Sequence, residues 1–372
     1  MLHLADLHLG YEPVFLGDEK SKTRQRERDA LLTRAVDYAI DPANAIDMVV
    51  IVGDLFETHK PEGALVQEVI RQLGRLQMAG LFVVTVPGNH DEISYHTSVY
   101  REKRNAWPGV LVGNPMPELV ASTEVRGVPI RFYSLAYTAG LTRVQALGSF
   151  PRSAEPGLHI AAFHGSLDWD AGDRSLPLRS EDLAKAGYSY VALGHIHQYV
   201  EMKAGRTPAI YPGAVEGKSL SDPGVGHFTI VEFEKDKVNL KRHPVAVRQH
   251  RSDVLDVSAI DDEQCLLELC RRKRDPEALV EMVLTGTPSF PVDPLRLESM
   301  LHSDFYYLKV NDNTSFMTPQ MVARYAGEHT VRGEFVRRLA ARMDSAQNDR
   351  ERRMLKIALL RGLAAFSGGE SR

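Results

Sequence analysis

"DMVVIVGDLF", residues 47 to 56, decides the fold. Met48 to Val52 form an unbroken apolar run, rich in β-branched side chains, that stops at Gly53 and Asp54. Such a run predicts a strand buried on both faces, not one that alternates between core and water. The same arrangement recurs through the first half of the chain. Residues 2 to 5 read as a short strand ending at Asp6, with His8 two places on. "LFVVTVPGNHD" is again strand, then glycine, then Asn89, His90 and Asp91. "LHIAAFHG" ends in His164, and "YVALGHIHQY" runs into His195 and His197. Helices are predicted from about Thr23 to Ile40 and over 62 to 79, where Leu65, Val69, Leu73 and Leu76 share a stripe. Strands alternating with helices predict an α/β class, in which sites form beyond the C-terminal ends of the strands.

The 372 residues exceed one ordinary core, so more than one domain is expected. With 43% apolar and 25% charged residues the composition is that of a soluble globular protein. No apolar run approaches the roughly 20 residues of a membrane helix, and no membrane association is expected. "MLHLADLHLG" carries Asp6 and two histidines and reads as a strand, not as the core of a signal peptide. Cys265 and Cys270, five apart in "CLLELC", do not have zinc spacing and read as helix-core cysteines in a reducing cytoplasm. A net charge of −4 neither announces nor excludes a nucleic-acid substrate, because a local basic surface and metal ions suffice to meet phosphate.

From about Gly205 to His243 the pattern changes to strands with Gly/Pro turns, "HFTIVEF" and "KVNLKRH", which read as a second, more antiparallel sheet. "HPVAVRQHRSD" reads as a linker. The predicted organisation is a catalytic domain over 1–247, an α+β domain over 248–315 and an arginine-rich helical region over 316–372.

Asp6, His8, Asp54, Asn89, His90, Asp91, His164, His195 and His197 offer nitrogen and oxygen ligands and no thiolate. Such a set suits Mn²⁺, Fe²⁺ or Zn²⁺ in a catalytic site better than a structural zinc site. It is too large for one tetrahedral ion. Two ions about 3.5–4 Å apart, sharing a carboxylate, would use it all. Each fragment alone is weak: "GNHD" could be a turn and "GHIH" two strand-end histidines. All five together, each after an apolar strand, point to metal.

In this order the motifs resemble those of the calcineurin-like metallophosphoesterases. Their D-x-H, GD, GNHD, H and GHxH are met by "DLH", "GD", "GNHD", "FHG" and "GHIH" between residues 6 and 197. Within that superfamily "ADLHLG" and "GDLF" are similar to the SbcD-type DNA repair nucleases. "IYPGAVEG" is similar to their "YPGS" segment, with Ala214 where serine is usual. The resemblance implies a four-layer α-β-β-α sandwich with a smaller α+β capping domain and C-terminal helices. It implies one divalent ion on Asp6, His8, Asp54 and His197 and a second on Asp54, Asn89, His164 and His195, most often Mn²⁺, with Fe²⁺, Zn²⁺ or Mg²⁺ as alternatives. His90 is the catalytic residue in that pattern, not a ligand, and Asp91 is a candidate to orient a histidine.

The implied function is a metal-dependent phosphodiesterase acting on DNA, an exo- or endonuclease of double-strand break repair, partnered by an SbcC-like SMC ATPase. The final helix, with Leu355, Leu359 and Phe366 on one stripe and Ile357, Leu360 and Ala364 beside it, would pack on the second domain or dock that partner. The helix at 62–79 would serve a homodimer or the monomer's own core. A phosphoprotein phosphatase or cyclic-nucleotide phosphodiesterase on the same scaffold is the alternative, and a scaffold with a vestigial metal site is a third. Glu57 stands where some relatives carry histidine, and His59 reads as an exposed loop residue. "GAVEGKS", 213 to 219, has three residues between its glycines where a P-loop has four, so nucleotide hydrolysis is not expected. "RRKR", 271 to 274, reads as a solvated helix end.

Overall fold

The apolar runs form the centres of two six-stranded sheets. This is a computed structural model that describes residues 1–348 except 139–149, 170–173, 221, 223–225, 236, 246–247, 261, 287, 289, 291 and 315–318. It then describes residues 351, 352, 354, 355, 358, 359, 362, 363 and 366. Ile357, Leu360 and Ala364 of the predicted final stripe lie outside the described residues.

The first sheet has the order β14 (Lys237–Pro244), β13 (His227–Glu234), β1 (Leu2–Leu4), β2 (Met48–Val52), β3 (Phe82–Val86), β4 (Val110–Leu111). Strands β1 to β4 are parallel, with Leu4 beside Ile51 and Val50 beside Val84. The second sheet has the order β11 (Val200–Ala204), β12 (Thr207–Tyr211), β10 (Tyr190–Gly194), β7 (Leu158–His164), β6 (Val128–Ser134), β5 (Glu118–Val125). Its four central strands are parallel, and β5 and β11 close its edges antiparallel. A short pair, β8 (Ser166–Leu167) and β9 (Pro177–Leu178), follows β7.

The strands read as continuous apolar runs because both faces are covered. In β7, Ile160 and Ala162 join the core shared with the first sheet, whereas Ala161 and Phe163 face the opposite way and pack with Leu183. Leu183 belongs to α5 (Ser180–Ala186), which covers that outer face. On the other side, α2 (Leu31–Ile40) and α3 (Gly63–Met78) bury Leu32, Val36, Val69 and Leu73 in the shared core. Helix, sheet, sheet, helix is thus the layering of this α/β fold.

Two elements differ from their sequence reading. The helix predicted from Thr23 starts earlier, as α1 (Asp18–Asp29), and is interrupted at Ala30, whose N–H reaches the carbonyls of Arg26 and Arg28. The residues before the break are tied down elsewhere: Arg28 donates to the carbonyls of Leu7, Glu216 and Gly217, and Asp29 accepts the Gly10 N–H. The strands between 205 and 243 do not make a separate antiparallel sheet. β12 joins β10 in the second sheet and β13 joins β1 in the first, so these strands extend what the parallel strands began. A further short helix, α4 (Val99–Glu102), follows the loop after β3.

The chain divides into two compact units, Met1–His250 and Arg251–Arg372. In the second, β15 (His250–Asp256), β16 (Asp275–Thr285) and β17 (Phe305–Asp312) form a three-stranded sheet packed by α6 (Glu263–Arg271) and α7 (Pro294–Leu301). Asp262 and Asp293 cap these helices, accepting the N–H groups of Cys265 and of Leu295 and Arg296. Cys270 is buried in this core but Cys265 is exposed, so only one of the two is a core cysteine. The "RRKR" run ends α6, and Arg271 and Arg274 both pair with Asp304. Helices α8 (Pro319–Ala326) and α9 (Val331–Asp344) follow. Leu359 and Leu363 pack with Val336 of α9, and Phe366 meets Phe335 edge to face. No helix among the described residues is long and apolar enough to cross a membrane.

Leu73 is fully buried on the inner stripe of α3, whereas Met78, at the end of the same helix, is 82% exposed. Leu73→Ala is therefore expected to cost about 2–5 kcal/mol in urea unfolding, and Met78→Ser to stay within about 0.5 kcal/mol of the parent. Equal effects would mean that α3 presents a different face to the sheet.

Candidate metal centre

Every ligand candidate lies just past the C-terminal end of a parallel strand: Asp6 and His8 after β1, Asp54 after β2, Asn89 after β3, His164 at the end of β7, His195 and His197 after β10. The two sheets converge at this edge. His164 Nδ1 donates to the Val52 carbonyl of β2 across 2.9 Å. A Cβ on Gly194 would stand 1.9 Å from that same oxygen, so only glycine lets β10 pass. Gly53 is constrained twice. Its φ is +78°, and a Cβ there would fall 2.0 Å from His164 Nδ1. These glycines of "GD" and "GH" are the space that brings the sheets together.

The backbone of the site is held in an unfavourable region. Asp6, His8, Asp54 and His195 have φ of 54°, 47°, 49° and 102°. Left-handed geometry at a non-glycine residue costs about 1–3 kcal/mol and persists only where the surroundings over-determine it. Here they do: His8 N–H donates to Asp54 O at 2.9 Å, Asp6 N–H to Gly53 O at 3.2 Å, and His195 N–H to the Asp6 carboxylate at 3.0 Å.

Side chains from both sheets meet over Asp54. Its Oδ2 lies 3.5 Å from His164 Nε2 and 3.8 Å from His8 Nε2. Asn89 Oδ1 lies 3.0 Å from His164 Nε2 and 2.9 Å from His195 Nδ1. His8 and His197 turn their Nε2 atoms to each other at 3.2 Å. Ligand-capable atoms of Asp6, His8 and His197, and of Asp6, Asp54 and His164, lie within 4.8 Å of one another in each group. The structure thus brings all seven predicted ligands together, with Asp6 common to both groups.

The charges fit a cation. Asp6 and Asp54 are 0% and 2% exposed, and among the described residues neither pairs with lysine or arginine. Burial pushes the Asp6 carboxyl up from its ordinary range. Burial works the same way on Asp54, but His164 and His8 outweigh it and hold that carboxyl well below its ordinary range. Burial opposes a charge on His164 too, yet the Asp54 carboxylate raises it to about 9. Burial lowers His8 to about 4 and His195 to about 3, so both are neutral imidazoles with a lone pair to give. Buried carboxylates among imidazole nitrogens and an amide oxygen are the chemistry of a divalent-cation site.

These residues belong to a recognised group. The calcineurin-like phosphoesterase family matches residues 1–199 of the chain. The chain belongs to this family. As a calcineurin-like phosphoesterase it is a hydrolase of a family that uses divalent metals. It is 24% identical over 302 residues to the uncharacterized metallophosphoesterase YhaO of Bacillus subtilis, covering 77% of this chain and 71% of that one. It is 26% identical over 310 residues to the DNA double-strand break repair protein Mre11 of Methanopyrus kandleri, covering 78% and 66%, so it spans about two thirds of that relative's length. To the protein of the same name from Sulfurisphaera tokodaii it is 23% identical over 329 residues, covering 84% and 81%.

The phosphoesterase site has supports that its motifs do not name. His197 Nδ1 faces Asp222 Oδ2 at 3.3 Å, which leaves its Nε2 toward His8. Burial works against a charge on His197, and this contact overcomes it and raises the imidazole. Asp222 also accepts the Lys218 N–H. Lys218 Nζ donates to both oxygens of Glu57 at 2.8 and 2.9 Å, and Glu57 Oε2 lies 2.9 Å from His8 Nδ1. Glu57 is therefore a neighbour of the cluster, and His8, Glu57 and His90 form a third group with metal-ligand spacing. "GAVEGKS", which is not a nucleotide loop, supplies these contacts: Ala214 N–H donates to His197 O, and Arg24 and His250 pair with the buried Glu216. The signal was present in the "YPGS"-like segment, but its partners are far away in sequence.

His90 sits against Asp54 without joining the two groups around Asp6. Its N–H donates to Asp54 Oδ1 at 2.8 Å, and its Nδ1 lies 3.1 Å from Glu57 O. Asp91 does not orient a histidine in this structure. Its carboxylate accepts the N–H groups of Gly88 and Phe56 and the Tyr100 hydroxyl at 2.7, 3.1 and 2.6 Å, and so ties the loops after β2 and β3 together. Burial, with Asp54 nearby, pushes Asp91 up to about 6. His3 is a core residue, bonded to Tyr190 OH and Leu193 O. His59 stacks on Tyr95.

Burial works to raise Glu57, but His8 and Lys218 outweigh it and hold the carboxyl at about 2, below its ordinary 4.5. A depressed carboxyl stabilises the fold fully above about pH 4.5, and that contribution is lost as the pH falls through about 2. Lys218→Met is expected to be less stable than the parent in urea at neutral pH, with the gap narrowing as the pH falls below 4.5. In a Glu57→Gln background the gap should lose its pH dependence. A gap that persists unchanged in acid would place the role of Lys218 elsewhere.

Proposed function

We propose that this phosphoesterase is a two-metal phosphodiesterase that cleaves DNA in double-strand break repair. The observation that carries the reading is the extent of the likeness to the break-repair proteins. One alignment covers 84% of this chain and so runs beyond the first unit into the second. A phosphatase of small esters needs only the catalytic unit. In this reading residues 248–315 are the α+β capping domain of a nuclease and 316–372 a C-terminal helical region.

Asp6, His8, Asp54 and His197 would hold one ion and Asp54, Asn89, His164 and His195 the other, with Asp54 as the bridge. Mn²⁺ is the proposed metal, since oxygen and imidazole donors without thiolate suit it. Bound there, the ions would neutralise a phosphodiester and lower the pKa of a water near neutral pH. The chain's own part is to hold and orient. Val52 O and Asp222 fix the rings of His164 and His197, leaving Nε2 of each as the ligand atom. With Nδ1 of His90 held at Glu57 O, Nε2 is the atom left to meet a phosphoryl or leaving-group oxygen.

An SMC-like ATPase is the proposed partner, docking through the C-terminal helical region. A homodimer would use the exposed side of α3, because its apolar stripe is already buried in the monomer. A cytoplasmic location agrees with the two free cysteines.

The test is hydrolysis of linear and hairpin DNA with Mn²⁺, set beside p-nitrophenyl phosphate and cyclic nucleotides. DNA cleavage is expected. Turnover of the small esters with none of DNA would favour the phosphatase or cyclic-nucleotide reading. His90→Ala should keep Mn²⁺ binding by calorimetry and lose about 10²–10⁴-fold in turnover, whereas Asp54→Ala should lose both. Loss of metal in the His90 variant would overturn its assigned role.

A further inference from the structure

We propose that Lys218 is a positioning residue for one of the two metal ions: it braces His8 and His197 from behind, while the histidines of the other ion are set where the two sheets meet. The inference rests on the two-ion reading above and adds that the ions are held by different means and can be weakened one at a time.

Each of these two histidines has a carboxylate at Nδ1. Glu57 Oε2 lies 2.9 Å from Nδ1 of His8, and Asp222 Oδ2 lies 3.3 Å from Nδ1 of His197. The two Nε2 atoms, 3.2 Å apart, face each other on the ligand side. Lys218 holds both carboxylates. Its ammonium donates to the two oxygens of Glu57 at 2.8 and 2.9 Å, and its backbone N–H donates to Asp222 Oδ2 at 3.0 Å. One residue thus fixes, through its side chain and its main chain, the partners of two imidazoles that are 189 residues apart. A carboxylate behind a metal-binding imidazole sets the orientation of the ring and makes its nitrogen a stronger donor.

Lys218 is itself held in place. The carbonyls of Glu216, Gly217, Lys218 and Ser219 all accept from side chains: Arg28 takes the first two, the Tyr11 hydroxyl the third and His250 Nδ1 the fourth. Gly217 has no room for a side chain, since a Cβ there would fall 2.7 Å from His250 Nδ1. Tyr11 belongs to the turn that begins at His8, where its N–H donates to His8 O, and its ring centroid lies 4.8 Å from the Lys218 ammonium. With Glu57 and the Tyr11 ring both against it, the ammonium is engaged within the protein and is not offered as a free cation to a phosphate. Glu57, Lys218 and Asp222 are all half-buried, so their attraction is screened less than that of exposed pairs.

The other ion's histidines have no such brace. Among the described residues, no carboxylate stands at Nδ1 of His164 or of His195: the first donates to Val52 O, and the second lies 2.9 Å from Asn89 Oδ1. Their orientation follows from the approach of β7 and β10 to the first sheet. Loss of the Lys218 contacts therefore reaches one ion and spares the other.

The test titrates Mn²⁺ into the metal-free full chain by calorimetry and follows the same samples by electron paramagnetic resonance. Two bridged Mn²⁺ ions couple magnetically, whereas a lone ion gives the hyperfine spectrum of isolated Mn²⁺. Lys218→Met and Asp222→Asn are each expected to weaken one ion about 10- to 100-fold and to leave the other at parental affinity. At a Mn²⁺ concentration that fills both sites of the parent, these variants should show the isolated spectrum in place of the coupled one. In a Glu57→Gln background Lys218→Met should add nothing, because the ammonium acts through that carboxylate. Parental binding of both ions in Lys218→Met and in Asp222→Asn overturns the brace and leaves the two-ion reading standing. Equal weakening of both ions, in variants with parental circular dichroism, also overturns it, because the residues would then support the whole site. A parent that binds a single ion overturns the two-ion reading, and the brace with it.

Discussion

The Val52 carbonyl is where the two sheets of the catalytic unit are locked to each other. His164 donates to it from the second sheet, and Gly194 passes against it where any larger residue would collide. Without that approach the strand ends would form two separate polar rims, one carrying Asp6, Asp54 and Asn89, the other His164, His195 and His197. With it, side chains up to 189 residues apart come within hydrogen-bond distance. The long apolar runs and the small glycines are therefore parts of one device. The runs bury both faces of each sheet, and the glycines remove the volume that would keep the sheets apart at the end where the chemistry sits.

The same unit contains a buried carboxylate of the other kind, and the contrast is instructive. Glu216 is 1% exposed, and Arg24, Arg28 and His250 surround it with fixed cations and donors. That is how a fold settles a carboxylate it means to keep neutralised. Asp6 and Asp54 are as deeply buried but are met by histidines, whose rings can give up a proton. An arginine cannot give way to an incoming ion, whereas an imidazole can. Among the described residues no arginine meets these two carboxylates, in a unit that uses it freely elsewhere, and this distinguishes a site from a structural ion pair.

Much of this was legible in the sequence, for a definite reason. A buried parallel strand must be a short continuous apolar run, and a polar residue directly after it must lie at the sheet edge, so strand ends and ligand candidates could be read together. Residues whose role depends on a distant partner could not be read this way. Asp222 has no motif of its own and is explained only by His197, and Lys218 only by Glu57. Asp91 illustrates the converse. Its place in "GNHD" suggested a histidine partner, but two backbone N–H groups and the Tyr100 hydroxyl already occupy it. The strands between 205 and 243 read as an antiparallel sheet of their own but join the two existing sheets, because local pattern shows the pairing preference of a strand and not which older strand has a free edge.

The left-handed residues bear on how the site is made. Asp6, His8, Asp54 and His195 hold their strained backbone through hydrogen bonds to one another's loops. In a structural metal site the ion supplies folding free energy, and the ligands are unplaced without it. Here the convergence of two apolar sheets fixes the ligand backbones in conformations they would not otherwise adopt. Strain held by backbone hydrogen bonds is preorganisation, because the carboxylates and imidazoles need not be gathered from an open loop. Such preorganisation suits a catalytic centre more than a structural one.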